Sequence, residues 1–271
     1  MPRRHPCRLG APYATDTAFG EAESFLVGAR DKLIILLPPS EGKANSGKTG
    51  TRFKPESGMF GKALGQKRSE LIVALKKADG GSEKLLGVSG QHLARAKAAN
   101  RALRGAPTLP ASSRYTGVVW DHLDLVSLPT AMQKVAAKQI VVVSGLLGLV
   151  ACGDETPEYR LKIGASLAPF GKLASWWRAD LSAALNEFCK NSTVVDLLPQ
   201  EHAAAFIPDR ESIKKYFRVD LATASGAAGG HDAKAAKGRL ARHLLLNCDK
   251  PTTALKSFKD PRFRVRILEQ F

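Results

Sequence analysis

The sequence predicts an α/β fold carried by a single domain. Unbroken apolar runs, "LIILL" at 33–37 and "QIVVVSG" at 139–145, suit strands of a sheet covered on both faces. Segments with helical periodicity alternate with such runs along the chain, the pattern of helices layered on a sheet. No internal repeat interrupts that alternation.

Taken in order, residues 1–31 carry arginines but no apolar stretch of the kind a secretory leader needs. Asp16, Glu21 and Glu23 argue against a transit peptide. They read as a poorly ordered N-terminal extension ahead of an α/β domain spanning 32–271. Strand 33–37 opens the domain. Residues 42–62, rich in Gly, Lys, Ser and Thr, read as a long loop. "KRSELIVALKKA", 67–78, places Leu71, Leu75 and Ala78 at helical spacing, and a second helix is expected from about Leu93 to Leu103. "TGVVW", 116–120, is expected as a short strand. In "LASWWRADLSAALNEFCK", 173–190, residues Trp177, Leu181, Ala184, Leu185 and Phe188 share one helical face. "STVVDLL" reads as a strand, and the alternation in "YFRVDL" and "FRVRIL" suits more exposed strands. "ASGAAGGHDA", 224–233, reads as a flexible segment leading into a basic helix, "KAAKGRLARHLLLN".

Charge narrows the partners. There are 41 Lys and Arg against 25 Asp and Glu, a formal net charge of +16. Such a surface attracts polyanions, because lysines and arginines displace the counterions of phosphates. Nucleic acid comes first and an acidic membrane surface second. No stretch reaches the ~20 apolar residues that span a bilayer. Cys7, Cys152, Cys189 and Cys248 are too scattered for a zinc site or a disulfide framework, and read as reduced thiols. His92, His122, His202, His231 and His243 show no metal spacing. No nucleophile elbow or carboxylate pair is visible, and no cofactor is expected.

Residues 42–49, "GKANSGKT", match the letters of a phosphate loop. A working loop needs a helix that starts at its Lys-Thr pair, so that backbone amides face the phosphates. Gly50, Pro55, Gly58 and Gly61 follow instead, and they oppose such a helix. Lys43 and Lys48 nonetheless bring positive charge to a strand end, a usual place for an α/β site.

The opening "LIILLPPSEGK" resembles the start of the peroxide stress protein YaaA family. Further blocks follow in that family's order: "YTGVVWDHLDL" at 115–125, "VVVSGLLGLV" at 141–150, "PEYRLKIGASL" at 157–167, "LASWWRADLSAAL" at 173–185, "VVDLLPQEHAAAF" at 194–206 and "KAAKGRLARHLL" at 234–245. The resemblance implies a bacterial, cytosolic protein of the hydrogen peroxide response that limits free iron and DNA damage. It implies one YaaA-like domain with a mixed central sheet, flanking helices, a basic cleft, a helix-hairpin-helix element and DNA binding.

"KLLGVSGQHLARAKAANRAL", 84–103, fits such a hairpin, with Gly87 and Gly90 at the turn. Glycines there let backbone amides approach a phosphate. Arg95, Lys97, Arg101 and Arg104 follow as candidate phosphate contacts, and a contact of this kind reads shape or charge rather than base sequence. The alternative is a helical hairpin whose glycines only cap a helix end. Lys234, Lys237, Arg239 and Arg242 form the second basic element, beside an apolar stripe of Ala236, Leu240 and Leu244. Its alternative is a solvated helix face. Lys43, Ser144, Gly145, Tyr159, Arg160, Lys234 and Lys237 match family positions and are expected to surround one anionic pocket. The chain departs from the family's usual residues at Ala151, Cys152, Pro199, His202 and Ala233, which weakens any catalytic reading of that pocket. Two functions therefore stand: a protein that binds duplex, single-stranded or branched DNA, and an enzyme acting on a phosphate-bearing, nucleotide-like small molecule.

Overall fold

The structure is a computed structural model that describes residues 32–271, apart from residue 46 and residues 224–229. The expected extension at 1–31, and most of the expected Gly/Ala segment, lie outside the described residues.

Six strands build the central sheet: β1 (Lys32–Leu37), β2 (Ile140–Ser144), β3 (Gly148–Ala151), β4 (Ser192–Asp196), β5 (Lys215–Thr223) and β6 (Phe263–Gln270). Their order across the sheet is β6-β5-β4-β1-β2-β3. β1 pairs in parallel with both β2 and β4, and β4 with β5, while β3 and β6 close the two edges antiparallel. The sheet is therefore mixed. Leu33 to Leu37 and Ile140 to Ser144 are fully buried, as continuous apolar runs require in a sheet covered on both faces. The order reverses at β1, so chain leaving β1, β2 and β4 opens onto a crevice at the carboxyl ends of those strands, where α/β sheets commonly bind ligands.

Helix Gly61–Lys77 packs against helix Leu173–Phe188, and helix Val118–Leu123 packs along helix Gly230–Leu246. The second contact is close enough that a Cβ at Gly238 would meet the Val119 carbonyl and lie 2.9 Å from the His122 Cβ. The first helix begins at Gly61, six residues earlier than its periodicity indicates. Its start carries Gly61 and Gly65 because the backbone of Glu56 presses against it.

Three expectations change. The 116–120 strand is a helix: Gly117, at φ +121°, turns the chain and helix Val118–Leu123 follows, which buries Val119, Trp120 and Leu123. The 42–62 loop contains two short strands, Gly42–Lys43 and Lys48–Arg52. Lys48 and Thr49 lie in the second of these and not at a helix start, so the phosphate-loop letters have no matching architecture. β5 sits inside the sheet between β4 and β6 and buries Tyr216, Phe217, Val219, Leu221 and Ala222. The exposed alternation belongs to edge strand β6 alone.

Candidate functional site

Pro38 and Pro39 end β1, and the chain re-enters extended structure at Gly42–Lys43, paired antiparallel with Tyr115–Thr116. That pairing is tight, since a Cβ at Gly42 would stand 3.1 Å from the Thr116 hydroxyl. It turns Lys43 inward. Lys43 Nζ donates to the Ser40 carbonyl at 2.8 Å and lies 4.3 Å from the centroid of the Tyr159 ring and 5.6 Å from that of Tyr115. Ser144, the last residue of β2, accepts from the amides of Leu146 and Leu147 and shares a 2.7 Å hydrogen bond with the Tyr159 hydroxyl. Tyr159 in turn meets the Tyr115 hydroxyl at 2.8 Å. This buried chain of three hydroxyls forms one wall of the site. Burial keeps both phenols protonated, with Tyr159 pushed up to about 12 and Tyr115 further.

Burial, followed by the positive charge of Arg160, drives Lys43 down to about 7, against the pull of Glu41 and Glu158. Arg160 donates from Nε to the Leu86 carbonyl at 2.9 Å and pairs with Glu41 at 2.7 Å. Lys162 takes the other oxygen of Glu41 at 3.0 Å. Burial works to raise the Glu41 pKa, but Lys162 and Arg160 outweigh it and hold the carboxyl below its usual value. Lys43, His92, Arg95, Glu158, Tyr159 and Arg160 line a cavity of about 300 Å³. Gly145 acts behind this site: a Cβ there would meet the Leu161 carbonyl at 2.6 Å, so glycine lets the segment carrying Arg160 pack down.

The hairpin stands on the rim. Ser82 caps helix Glu83–Leu86 by accepting from the Leu85 amide at 3.2 Å. Gly87 ends it at φ +62°, and Gly90, at φ +53°, opens helix Gly90–Arg101. Both glycines are exposed, and the Lys162 ammonium lies 3.2 Å from where a Gly87 Cβ would stand. Fully buried Asn100 fixes the hairpin to the site. It donates to the carbonyls of Gly80 and Arg160, each at 2.8 Å, and accepts from the Arg160 amide at 2.9 Å.

The basic residues that follow the hairpin are mostly engaged within the protein. Arg95 pairs with Glu158 at 2.6 Å and donates to the Lys43 carbonyl. Lys97 and Arg101 both grip Asp79, at 2.7 and 2.6 Å, and hold its carboxyl down at about 2. Arg104 is exposed.

Lys234 and Lys237 do not join Lys43. They line a separate cavity of about 680 Å³ with Gln200, Arg218, Asp220 and Ala233, beside the start of helix Gly230–Leu246. Lys237 is half-buried and donates to the Leu197 carbonyl at 2.5 Å; desolvation lowers its pKa. Arg218 buries its Nε there without a hydrogen-bond partner. Next to it, Asp196 at the end of β4 accepts from the Tyr216 hydroxyl at 2.6 Å and the Leu198 amide at 2.7 Å, and burial raises its pKa. Arg239 clamps Asp260 at 2.6 Å, and Arg242 donates to the carbonyls of Leu123 and Asp124 and to Ser127. These two arginines tie elements together, which is a structural use of their charge.

The expected single pocket is thus two cavities: Lys43, Tyr159 and Arg160 line one, with Ser144 and Gly145 behind them, and Lys234 and Lys237 line the other. His202 belongs to a third, smaller cavity beside Lys43, with its Nδ1 buried and unpartnered. Pro199 and Ala233 line the larger cavity, whereas Ala151 and Cys152 are core residues remote from it. Tyr115, Glu41, Lys162 and Arg218 complete these walls. Three of them lie within blocks already recognisable in the sequence, yet nothing in their spacing singled them out.

A family model described as peroxide stress protein YaaA matches residues 33–267. The chain belongs to the peroxide stress protein YaaA family. A UPF0246 protein of Streptomyces coelicolor is 36% identical over 219 residues, covering 79% of this chain and 83% of the relative. A UPF0246 protein of Corynebacterium glutamicum is 31% identical over 223 residues, covering 79% and 86%. An uncharacterized protein of Campylobacter jejuni is 30% identical over 138 residues, about half of each chain (51% and 54%). Among the described residues of this YaaA-family chain, no group of three His, Cys, Asp or Glu side chains is placed to hold a metal ion. No described helix is long and apolar enough to cross a membrane.

Proposed function

We propose that this YaaA-family chain serves the hydrogen peroxide response as a DNA-binding protein that limits free iron and damage to DNA. It grips phosphates without reading bases. The observation that carries this reading is the exposed 82–90 hairpin, where Gly87 and Gly90 both adopt left-handed backbone beside Lys162 and Lys84. The Gly87 amide is spent on the Glu83 carbonyl at 2.8 Å, so the amides offered to an anion are those that follow it in the turn, and flanking lysines add attraction. The net charge of +16 supplies the long-range pull. Arg95, Lys97, Arg101, Arg239 and Arg242 contribute to that field while held by their own partners.

A salt titration of binding to duplex, single-stranded and branched DNA tests the reading. Affinity is expected to fall linearly in log–log form, by about one decade per decade of salt for each phosphate neutralised. No binding at low salt removes the reading.

A second reading rests on the larger cavity. Lys234, Gln200 and the unpartnered Arg218 Nε suit a phosphate-bearing small molecule. Thermal stabilisation by one member of a nucleotide panel, lost in Arg218→Met, supports it. No shift across the panel counts against it.

A further inference from the structure

Phosphate binding leaves one feature of the smaller site unused. Both carboxylates near Lys43 are already taken, Glu41 by Arg160 and Lys162, and Glu158 by Arg95. Lys43 itself forms no ion pair among the described residues. Its amine is held by the Ser40 carbonyl and faces two neutral tyrosine rings at the wall of a cavity also lined by Arg160 and by Arg95 of helix Gly90–Arg101. A lysine kept for binding an anion would stand in water at the rim. This one is half-buried on the cavity wall, and a cationic neighbour disfavours its charged form.

We propose that Lys43 is an amine nucleophile that condenses reversibly with a small aldehyde carried next to a phosphate. Two sources share that chemistry: the open-chain deoxyribose of an abasic site in DNA, and a free sugar phosphate. The Nζ lone pair attacks the aldehyde carbon and forms an N–C bond. The carbon–oxygen bond then breaks, and the oxygen leaves as water with the two hydrogens of the amine. No oxidant or reductant takes part. The step needs a neutral amine, and a lysine near 7 supplies one at physiological pH, where an ordinary lysine is almost wholly protonated. Arg160 and Arg95, each still paired with its own carboxylate, supply the positive field that draws the phosphate to the cavity while the amine meets the aldehyde carbon. The abasic-DNA source rests on the DNA-binding reading; the sugar phosphate does not.

The test uses the full chain with two probes, a duplex bearing one abasic site and ribose 5-phosphate. Each is incubated with sodium cyanoborohydride, which reduces the imine to a stable secondary amine. Digestion and mass spectrometry then map the adduct. The expected result is an adduct on Lys43 with at least one probe, absent from Lys43→Arg. Mapping on the unaltered protein keeps the outcome independent of how the variant folds. Labelling of Lys43 by the sugar phosphate alone assigns the free source. Labelling spread over exposed Lys84, Lys162 and Lys234, with Lys43 unmodified by both probes, overturns the proposal. Should intact duplex still bind in that case, the DNA-binding reading survives it. Labelling by ribose 5-phosphate in a protein that binds no DNA separates the two the other way.

Discussion

At the scale of the residue, the molecule holds several ionisable groups out of water, and each leaves a pH signature. Lys43 lies near 7 when folded and near its ordinary value when unfolded. Between those values the unfolded chain binds more protons, so stability rises with pH across that window. Arg160, Glu41, Glu158 and Arg114 face the amine and set the balance. The urea midpoint of the protein is expected to rise relative to that of Lys43→Met between pH 7 and pH 9.5; a constant gap contradicts a neutral Lys43. His202 moves the opposite end of the range. Burial, then Lys237, lowers it to about 4, so the imidazole is neutral in the folded protein. The unfolded chain takes up that proton near the usual value of about 6.5. Stability contributed at neutral pH is therefore lost as pH falls from about 6.5 toward 4. His202→Gln is expected to flatten the fall in urea midpoint between pH 7 and pH 4.5, and an unchanged slope would place the proton elsewhere.

At the scale of the element, the hairpin and its anchor separate binding from stability. Asn100→Ala leaves the Arg160 amide and two carbonyls without partners in a buried place, an expected loss of about 3 kcal/mol in urea unfolding. Gly90→Ala meets no atom within 4 Å, so its cost is backbone strain alone, about 1 kcal/mol. Gly171, at φ +71° and equally open, provides a control of the same kind away from the hairpin. If hairpin amides hold phosphate, Gly90→Ala weakens DNA binding and Gly171→Ala does not, at similar thermal stability. Equal effects on binding would reduce the hairpin to a helix cap. The turn at Gly87 and Gly90, between helices Glu83–Leu86 and Gly90–Arg101, was legible because glycine spacing is local. So were β1, β2 and the Leu173–Phe188 helix, whose apolar patterns name their own burial. The Val118–Leu123 helix was not legible, because its β-branched start reads as a strand until Gly117 and the groove along Gly230–Leu246 impose the turn.

At the scale of the whole molecule, a charge of +16 says how much positive field exists but not which cations are free to meet a partner. The acids that engage Lys97, Arg101, Arg95 and Arg239 lie 18 to 63 residues away in sequence, so the pairing exists only once the chain has folded. The same distance explains why Lys43 and Lys234 looked like neighbours: both belong to blocks at strand ends, and only the sheet order shows that they open into different cavities. The larger cavity allows a decisive comparison. Lys234 is exposed, whereas Lys237 is half-buried near Asp196 and Asp220 with its ammonium on the Leu197 carbonyl. Lys237→Glu would set a third carboxylate beside those two and remove the donor to the Leu197 carbonyl, so it is expected to lower the urea midpoint as well as alter binding. Lys234→Glu keeps the fold. If the field around this cavity helps hold DNA, that exchange weakens all sequences about equally and lowers the salt slope by about one. If the cavity serves a small phosphate ligand instead, Lys234→Glu leaves the DNA salt slope unchanged and abolishes only ligand-induced thermal stabilisation, and this one variant then divides the two uses of the basic surface.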